Sequence, residues 1–177
     1  RLAIDCALAH PERVRALVLV GSGVRGAPAV EGIPEEVMRL EAAVEVADER
    51  GDVDEVNRLE AHFWLDGPTS AEGRVSGPAR ALFLDMNGIA LAATPPGSDR
   101  PPEGLLAWER LEEIEAPTLV VVGDLDAPDV IEYSRAIARR VPGAELRVIE
   151  GTAHLPQLEQ PERLAEEIRR FLASQGL

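Results

Sequence analysis

Short apolar runs alternate with helical spacing at both ends of the chain, and a long helical stretch separates them. Ala16 to Val20, Thr118 to Val122 and Glu145 to Ile149 are rich in Val, Leu and Ile and are bounded by Gly or Pro nearby. Runs of this length and composition read as strands. The first two, apolar at nearly every position, read as strands of a parallel sheet covered on both faces. Arg1 to His10 is expected to be a helix stopped by Pro11, pressing Leu2, Cys6 and Ala9, or Ala3 and Ala7, onto the sheet. Val130 to Val141 has apolar Ile131, Ala136 and Ile137 and ends at Pro142-Gly143, which marks a crossover helix. Pro161 begins a closing helix that turns Leu164, Ile168, Phe171 and Leu172 toward the sheet. Helices alternating with buried strands define an α/β fold with a mostly parallel, doubly wound sheet.

From Val24 to about Arg110 no strand pattern of similar strength occurs. Glu35 to Ala47 repeats Val37, Leu40 and Val44. Asp52 with Glu55 marks a helix start of the capping-box kind, and Val56, Leu59, Phe63 and Trp64 form a helical stripe ended by Asp66-Gly67-Pro68. Ala79 to Ala92 is a third helix, apolar enough to be largely buried, Pro95 to Pro102 is a loop, and Trp108 to Ile114 leads back to the sheet. The expected organisation is a core of residues 1–23 and 111–177 with a helical cap or lid of residues 24–110 inserted into it.

Composition removes several function classes. Thirty-two acidic against 18 basic side chains give a formal charge of −14, which repels phosphate backbones and excludes a nucleic-acid partner. No apolar run reaches the roughly 20 residues that span a bilayer, so no membrane partner is expected; the location is read as cytoplasmic, with an export signal upstream of Arg1 left open. A single cysteine, Cys6, excludes an internal disulfide and is read as a small buried packing residue. The three histidines, His10, His62 and His154, show no metal-ligand spacing, so no metal is expected. His10 reads as a helix-end residue bonding the last carbonyls, and His62 as part of the E-A-H-F-W stripe.

The candidate chemistry lies at the strand ends. Asp124 and Asp126 follow the Thr118–Val122 strand, and His154 comes five residues after the next one. Ligands of open α/β sheets gather at the carboxyl ends of strands, so successive parallel strands deliver an acid and a histidine to one crevice. An imidazole oriented by a carboxylate is the base half of a nucleophilic triad. Asp126 is the preferred acid and Asp124 the fallback. Ser22 is the only serine at a strand's carboxyl end, on the crevice side; it is read chiefly as a small turn residue, is the one candidate for a substitute nucleophile, and is counted among the substrate-binding residues. Phe63 and Trp64 are candidates for an apolar wall over a small-molecule substrate, with Leu84 and Met86 beside them.

P-T-L-V-V-V-G-D-L-D, V-P-G-A-E-L-R-V-I and G-T-A-H-L-P-Q-L-E-Q-P-E-R-L resemble the closing segment of α/β-hydrolase fold enzymes, and A-H-P-E-R-V-R-A-L-V-L-V-G-S resembles the helix and strand after their nucleophile elbow. The resemblance implies that Asp126 ends the family's G-x-x-D turn as the acid and that His154 ends its G-x-x-H as the base, with no cofactor. It implies an enzyme acting on ester, lactone or similar carbonyl substrates. The runners-up are a dehalogenase, epoxide hydrolase, carbon–carbon bond hydrolase or cofactor-free peroxidase of the same fold, or a non-catalytic α/β interaction protein. The elbow G-x-S-x-G occurs nowhere in the 177 residues. The resemblance places it just before Arg1, so the expected partner is a missing amino-terminal part of the same protein, and the chain alone is expected to be inactive.

Overall fold

The computed structural model describes residues 1–93 and 106–177. The loop expected over Pro95 to Pro102 lies outside the described residues. Helix α1 (Leu2–Ala9) precedes strand β1 (Leu17–Val20). Helices α2 (Glu35–Glu49), α3 (Val53–Glu60) and α4 (Gly77–Ala92) follow, with a π-helical turn at Ala61–Asp66. A run of 3-10 turns at Ala107–Glu113 leads to β2 (Thr118–Gly123), α5 (Pro128–Arg140), β3 (Glu145–Ile149), the short α6 (Pro156–Glu159) and α7 (Pro161–Ser174). The three strands form a parallel sheet in the order β1-β2-β3, with Leu17 opposite Thr118 and Leu119 opposite Glu145.

β2 is buried at all six positions because both of its faces are covered. Val120 joins Leu19, Ile4, Leu111, Ile114 and Ile137 on the face under α1, α5 and the 3-10 turns. Leu119 and Val121 join Ile149, Leu164 and Phe171 on the face under α7. Each such Val, Leu, Ile or Phe contributes about 1.5–3 kcal/mol by leaving water. A third cluster sits at the carboxyl end of the sheet. There Val122, Ala127 and Val130 meet Val37 of α2 and Phe63 of the π-helical turn. This contact brings the helices between β1 and β2 against the strand ends.

Three expectations are corrected. α1 buries Ile4, Asp5, Ala7 and Leu8, while Leu2, Ala3, Cys6 and Ala9 are exposed. Cys6 is therefore a surface thiol and not a packing residue. The helix is apolar nearly all round, and the face it buries is chosen by Asp5, whose carboxylate accepts two hydrogen bonds from Arg25. α4 is not largely buried. It packs by one side against α3 and the π-helical turn, so Phe83 is its one buried residue while Met86 and Ile89 are 60% and 67% exposed. The expected cap at Asp52 forms, its side chain accepting the Glu55 N–H at 3.2 Å. The Glu55 carboxylate does not complete a capping box, because Arg58 draws it away. No described helix is long and apolar enough to cross a membrane.

Candidate active site

Asp126 and His154 meet beyond the ends of the neighbouring strands β2 and β3. The His154 Nδ1–H donates to the Asp126 carboxylate, with Nδ1 3.0 Å from Oδ2 and 3.1 Å from Oδ1. A carboxylate only accepts, so this contact places a ring proton on Nδ1, and it is the neutral imidazole in that tautomer whose Nε2 carries the lone pair. The Asp126 side chain is fully buried, and its Oδ1 also accepts the Ala127 N–H at 2.7 Å. It stands just ahead of α5, whose N-terminal dipole favours a negative charge. Asp124, the fallback acid, is committed elsewhere: its Oδ1 accepts the Gly151 N–H at 2.6 Å.

The loop bearing His154 is fixed through its backbone. Gly151 N–H bonds Asp124, Thr152 C=O accepts the Leu125 N–H at 3.0 Å, Ala153 N–H bonds Glu159 Oε1 at 2.8 Å, and His154 N–H bonds the Trp64 carbonyl at 3.1 Å. The loop also lies directly on the end of β2. A Cβ at Gly123 would collide with the carbonyl oxygens of Thr152 and Ala153, so only glycine permits this approach. Gly21 plays the matching part at the end of β1. Its φ is +53°, and a Cβ there would lie 2.9 Å from His154 Nδ1 and Cε1. Gly21 is therefore the floor on which the imidazole rests.

The Trp64 ring packs against His154, with ring centroids 4.6 Å apart and the planes tilted by 50°. The π-helical turn explains how adjacent residues serve two purposes. Its extra residue per turn lets Phe63 enter the core while Trp64 leans over the imidazole, and such turns recur at functional sites. His154, Trp64, Ser22, Gly21, Tyr133 and Asp129 line a cleft of about 300 Å³. Trp64 and Asp129 also border a second hollow of about 370 Å³, completed by Phe63, Glu41, Glu45 and Glu60. Burial, then the charges of Asp129 and Glu45, pushes the Glu41 carboxyl above its ordinary range.

The structure thus brings together His154, Asp126, Ser22 and Trp64, with Phe63 one residue deeper. Ser22 is buried and its hydroxyl donates to the Gly23 carbonyl at 3.1 Å, a turn contact. Of the two further wall candidates, Met86 is exposed and Leu84 packs with Ala61, Leu65 and Phe83; neither borders these clefts. His62 bonds the Ser70 carbonyl at 2.9 Å, and the backbone N–H of His10 caps Cys6. Among the described residues no group of three or more His, Cys, Asp or Glu is arranged to hold a metal ion.

The sequence model of the alpha/beta hydrolase family matches residues 2–167. The chain belongs to the alpha/beta hydrolase family. Among its relatives, the 2-hydroxymuconate semialdehyde hydrolase of Pseudomonas putida is 30% identical over 174 residues, covering 97% of this chain and 58% of the relative. A 2-hydroxy-6-oxononadienedioate/2-hydroxy-6-oxononatrienedioate hydrolase of Paraburkholderia xenovorans is 28% identical, covering 97% and 58%. A thermophilic esterase from Thermogutta terrifontis superposes with a TM-score of 0.62 at 25% identity, covering 98% of this chain and 61% of that one. This alpha/beta hydrolase chain therefore spans less than two thirds of the length of the relatives it matches.

Residue identity alone did not reveal three contributors to this site. Gly21 was visible only as part of a G-S-G turn. Arg74 and Glu159, which hydrogen-bond each other and the Gly151 carbonyl and Ala153 N–H of the His154 loop, are 85 residues apart and carry no local signal.

Proposed function

We propose that this chain supplies the acid–base half of a hydrolase that cleaves an ester, lactone or similar carbonyl compound through an acyl-enzyme. The observation that carries the reading is the His154–Asp126 hydrogen bond at the carboxyl ends of adjacent parallel strands, with the imidazole lining a cleft. His154 Nε2 takes the proton of an attacking hydroxyl and returns it to the leaving group, and Asp126 holds the tautomer and offsets the imidazolium charge. The nucleophile belongs to a G-x-S-x-G elbow outside these 177 residues, so turnover needs the full-length protein. The helices between β1 and β2 act as the cap, with Trp64 excluding water above the base.

The lining selects among carbonyl substrates. Among the described residues Glu41, Glu45, Glu60 and Asp129 border the hollow beside Trp64 with no basic side chain, while Arg1 borders the neighbouring cleft of His154. At an effective dielectric of about 20, a like-charge pair about 6 Å apart costs about 3 kcal/mol. A dioate of the kind named for the Paraburkholderia relative is therefore disfavoured where its far carboxylate enters that hollow, and a neutral ester or lactone fits.

The test is hydrolysis of two p-nitrophenyl esters of equal acyl length by the full-length protein, one neutral and one ending in a carboxylate. The neutral ester is expected to be cleaved with kcat/KM about 100-fold the higher, which matches roughly 3 kcal/mol. Absence of hydrolysis of either ester, together with no serine acylated in intact mass spectra, contradicts the assignment. Equal rates contradict the specificity.

A further inference from the structure

Every polar atom of one guanidinium is engaged in joining the proposed cap to the loop of the base. Arg74 donates through Nε to the Asp66 carbonyl at 2.6 Å, through Nη1 to the Gly151 carbonyl at 3.0 Å, and through Nη2 to the Leu65 carbonyl at 2.8 Å and Glu159 Oε2 at 2.5 Å. Leu65 and Asp66 end the turn that carries Trp64. Gly151 and Glu159 flank His154 on either side in sequence. Glu159, its side chain only 5% exposed, uses its other oxygen to accept the Ala153 N–H, next to His154.

Arg74 is itself held. The fully buried Asp66 carboxylate accepts the N–H groups of Gly73 and Val75, both at 2.8 Å, and Arg80 Nη1 at 2.8 Å. The residues before and after Arg74 are thereby pinned to the same turn that Arg74 grips with its side chain. A planar, five-donor fork suits these converging acceptors, and an ammonium does not reproduce it.

We propose that Arg74 and Glu159 form a positioning clamp that couples the cap segment around Trp64 to the backbone of His154, which rests on His154 being the base. Arg74 registers where the cap segment lies, and Glu159 passes that position to Ala153 and hence to the imidazole. Neither residue touches the reacting atoms, so their effect is on where the base stands. A displacement of about 1 Å at a reacting group lowers rate by about 10²-fold.

The experiment uses the full-length protein with Arg74→Ala, Glu159→Ala, Arg74→Lys and Glu159→Gln. Each alanine variant is expected to lower kcat about 10²-fold with KM nearly unchanged. Glu159→Gln keeps an acceptor for Ala153 and is expected to restore most of the rate; Arg74→Lys is expected to restore little. Amide exchange read without substrate provides the second arm. In Arg74→Ala the Ala153 amide, which Arg74 does not touch, is expected to exchange at least about tenfold faster while the β2 amides keep their protection. Unchanged kcat, or unchanged exchange at Ala153, overturns the clamp. A wild-type protein without hydrolase activity whose Ala153 amide still responds to Arg74→Ala would refute the functional assignment alone. Should an alanine variant fail to fold, Arg74→Lys carries the same readouts, and unchanged exchange and kcat in it overturn the proposal.

Discussion

Gly21→Ala isolates the contact between the end of β1 and His154. The substitution adds one methyl group where φ is +53°, a left-handed conformation that costs an alanine about 1 kcal/mol. The second effect is steric. The new Cβ would lie 2.9 Å from His154 Nδ1 and Cε1, and an ordinary carbon contact needs about 3.5 Å or more, so the ring must give way by over half an ångström. It cannot retreat freely, because the Trp64 ring packs against it at 4.6 Å between centroids and Asp126 holds Nδ1 at 3.0 Å. The displacement is expected to stretch the Nδ1–Asp126 hydrogen bond and to lower turnover by about 10²-fold, against a stability loss of about 1–2 kcal/mol. Gly32→Ala is the control: its φ is +74° with nothing within 4 Å of the added carbon. It should show the backbone cost in a urea titration and leave ester turnover unaltered. Equal turnover for the two variants would show that the Gly21 contact does not set the position of His154, since both share the strain and only one meets the ring.

Asp126→Asn should preserve the fold yet lower kcat by about 10⁴-fold, because an amide no longer dictates which imidazole nitrogen carries the proton; urea titration and ester turnover check the two halves of this statement. Gly123→Ala should destabilise by more than about 3 kcal/mol, or prevent folding, since its Cβ meets backbone carbonyls that cannot rotate aside. Burial raises the Glu159 carboxyl above its ordinary range, an effect only partly offset by the Ala153 N–H and by Arg74. The native state then binds that proton more tightly than the unfolded chain does. Its contribution to stability is full below the ordinary glutamate range and is lost as pH rises through the raised value. Urea midpoints measured across that interval should fall with rising pH in the wild type relative to Glu159→Gln.

The parts of the fold that the sequence disclosed are those with one physical solution. Thr118 to Gly123 is too short for a buried helix and too apolar for an exposed strand, so β2 and its burial follow. The meeting of Asp126 and His154 follows from parallel neighbours, whose carboxyl ends share one side of the sheet. Where apolar residues surround a helix, the pattern loses its power. Leu2, Ala3, Ile4, Cys6, Ala7 and Leu8 offer α1 several faces, and the Asp5–Arg25 pair decides among them. α4 is apolar throughout much of its length but has neighbours on one side, so its composition overstates its burial. The π-helical turn is invisible because a stripe of Val56, Leu59, Phe63 and Trp64 tolerates one extra residue, yet that residue decides which aromatic ring covers His154. The Arg74–Glu159 contact is illegible for a different reason. A loop arginine and a helix-end glutamate are ordinary surface residues until the fold buries the contact between them.

The proposed role of His154, set by Asp126, is that of the base of a hydrolase. It is tested most directly by the turnover of His154→Ala in the full-length protein on a neutral p-nitrophenyl ester, with the urea midpoint measured alongside. The expected result is a loss of several orders of magnitude in kcat with stability close to wild type, because the imidazole is 26% exposed and its removal empties little of the core. Near wild-type turnover would contradict the account and remove His154 from the mechanism.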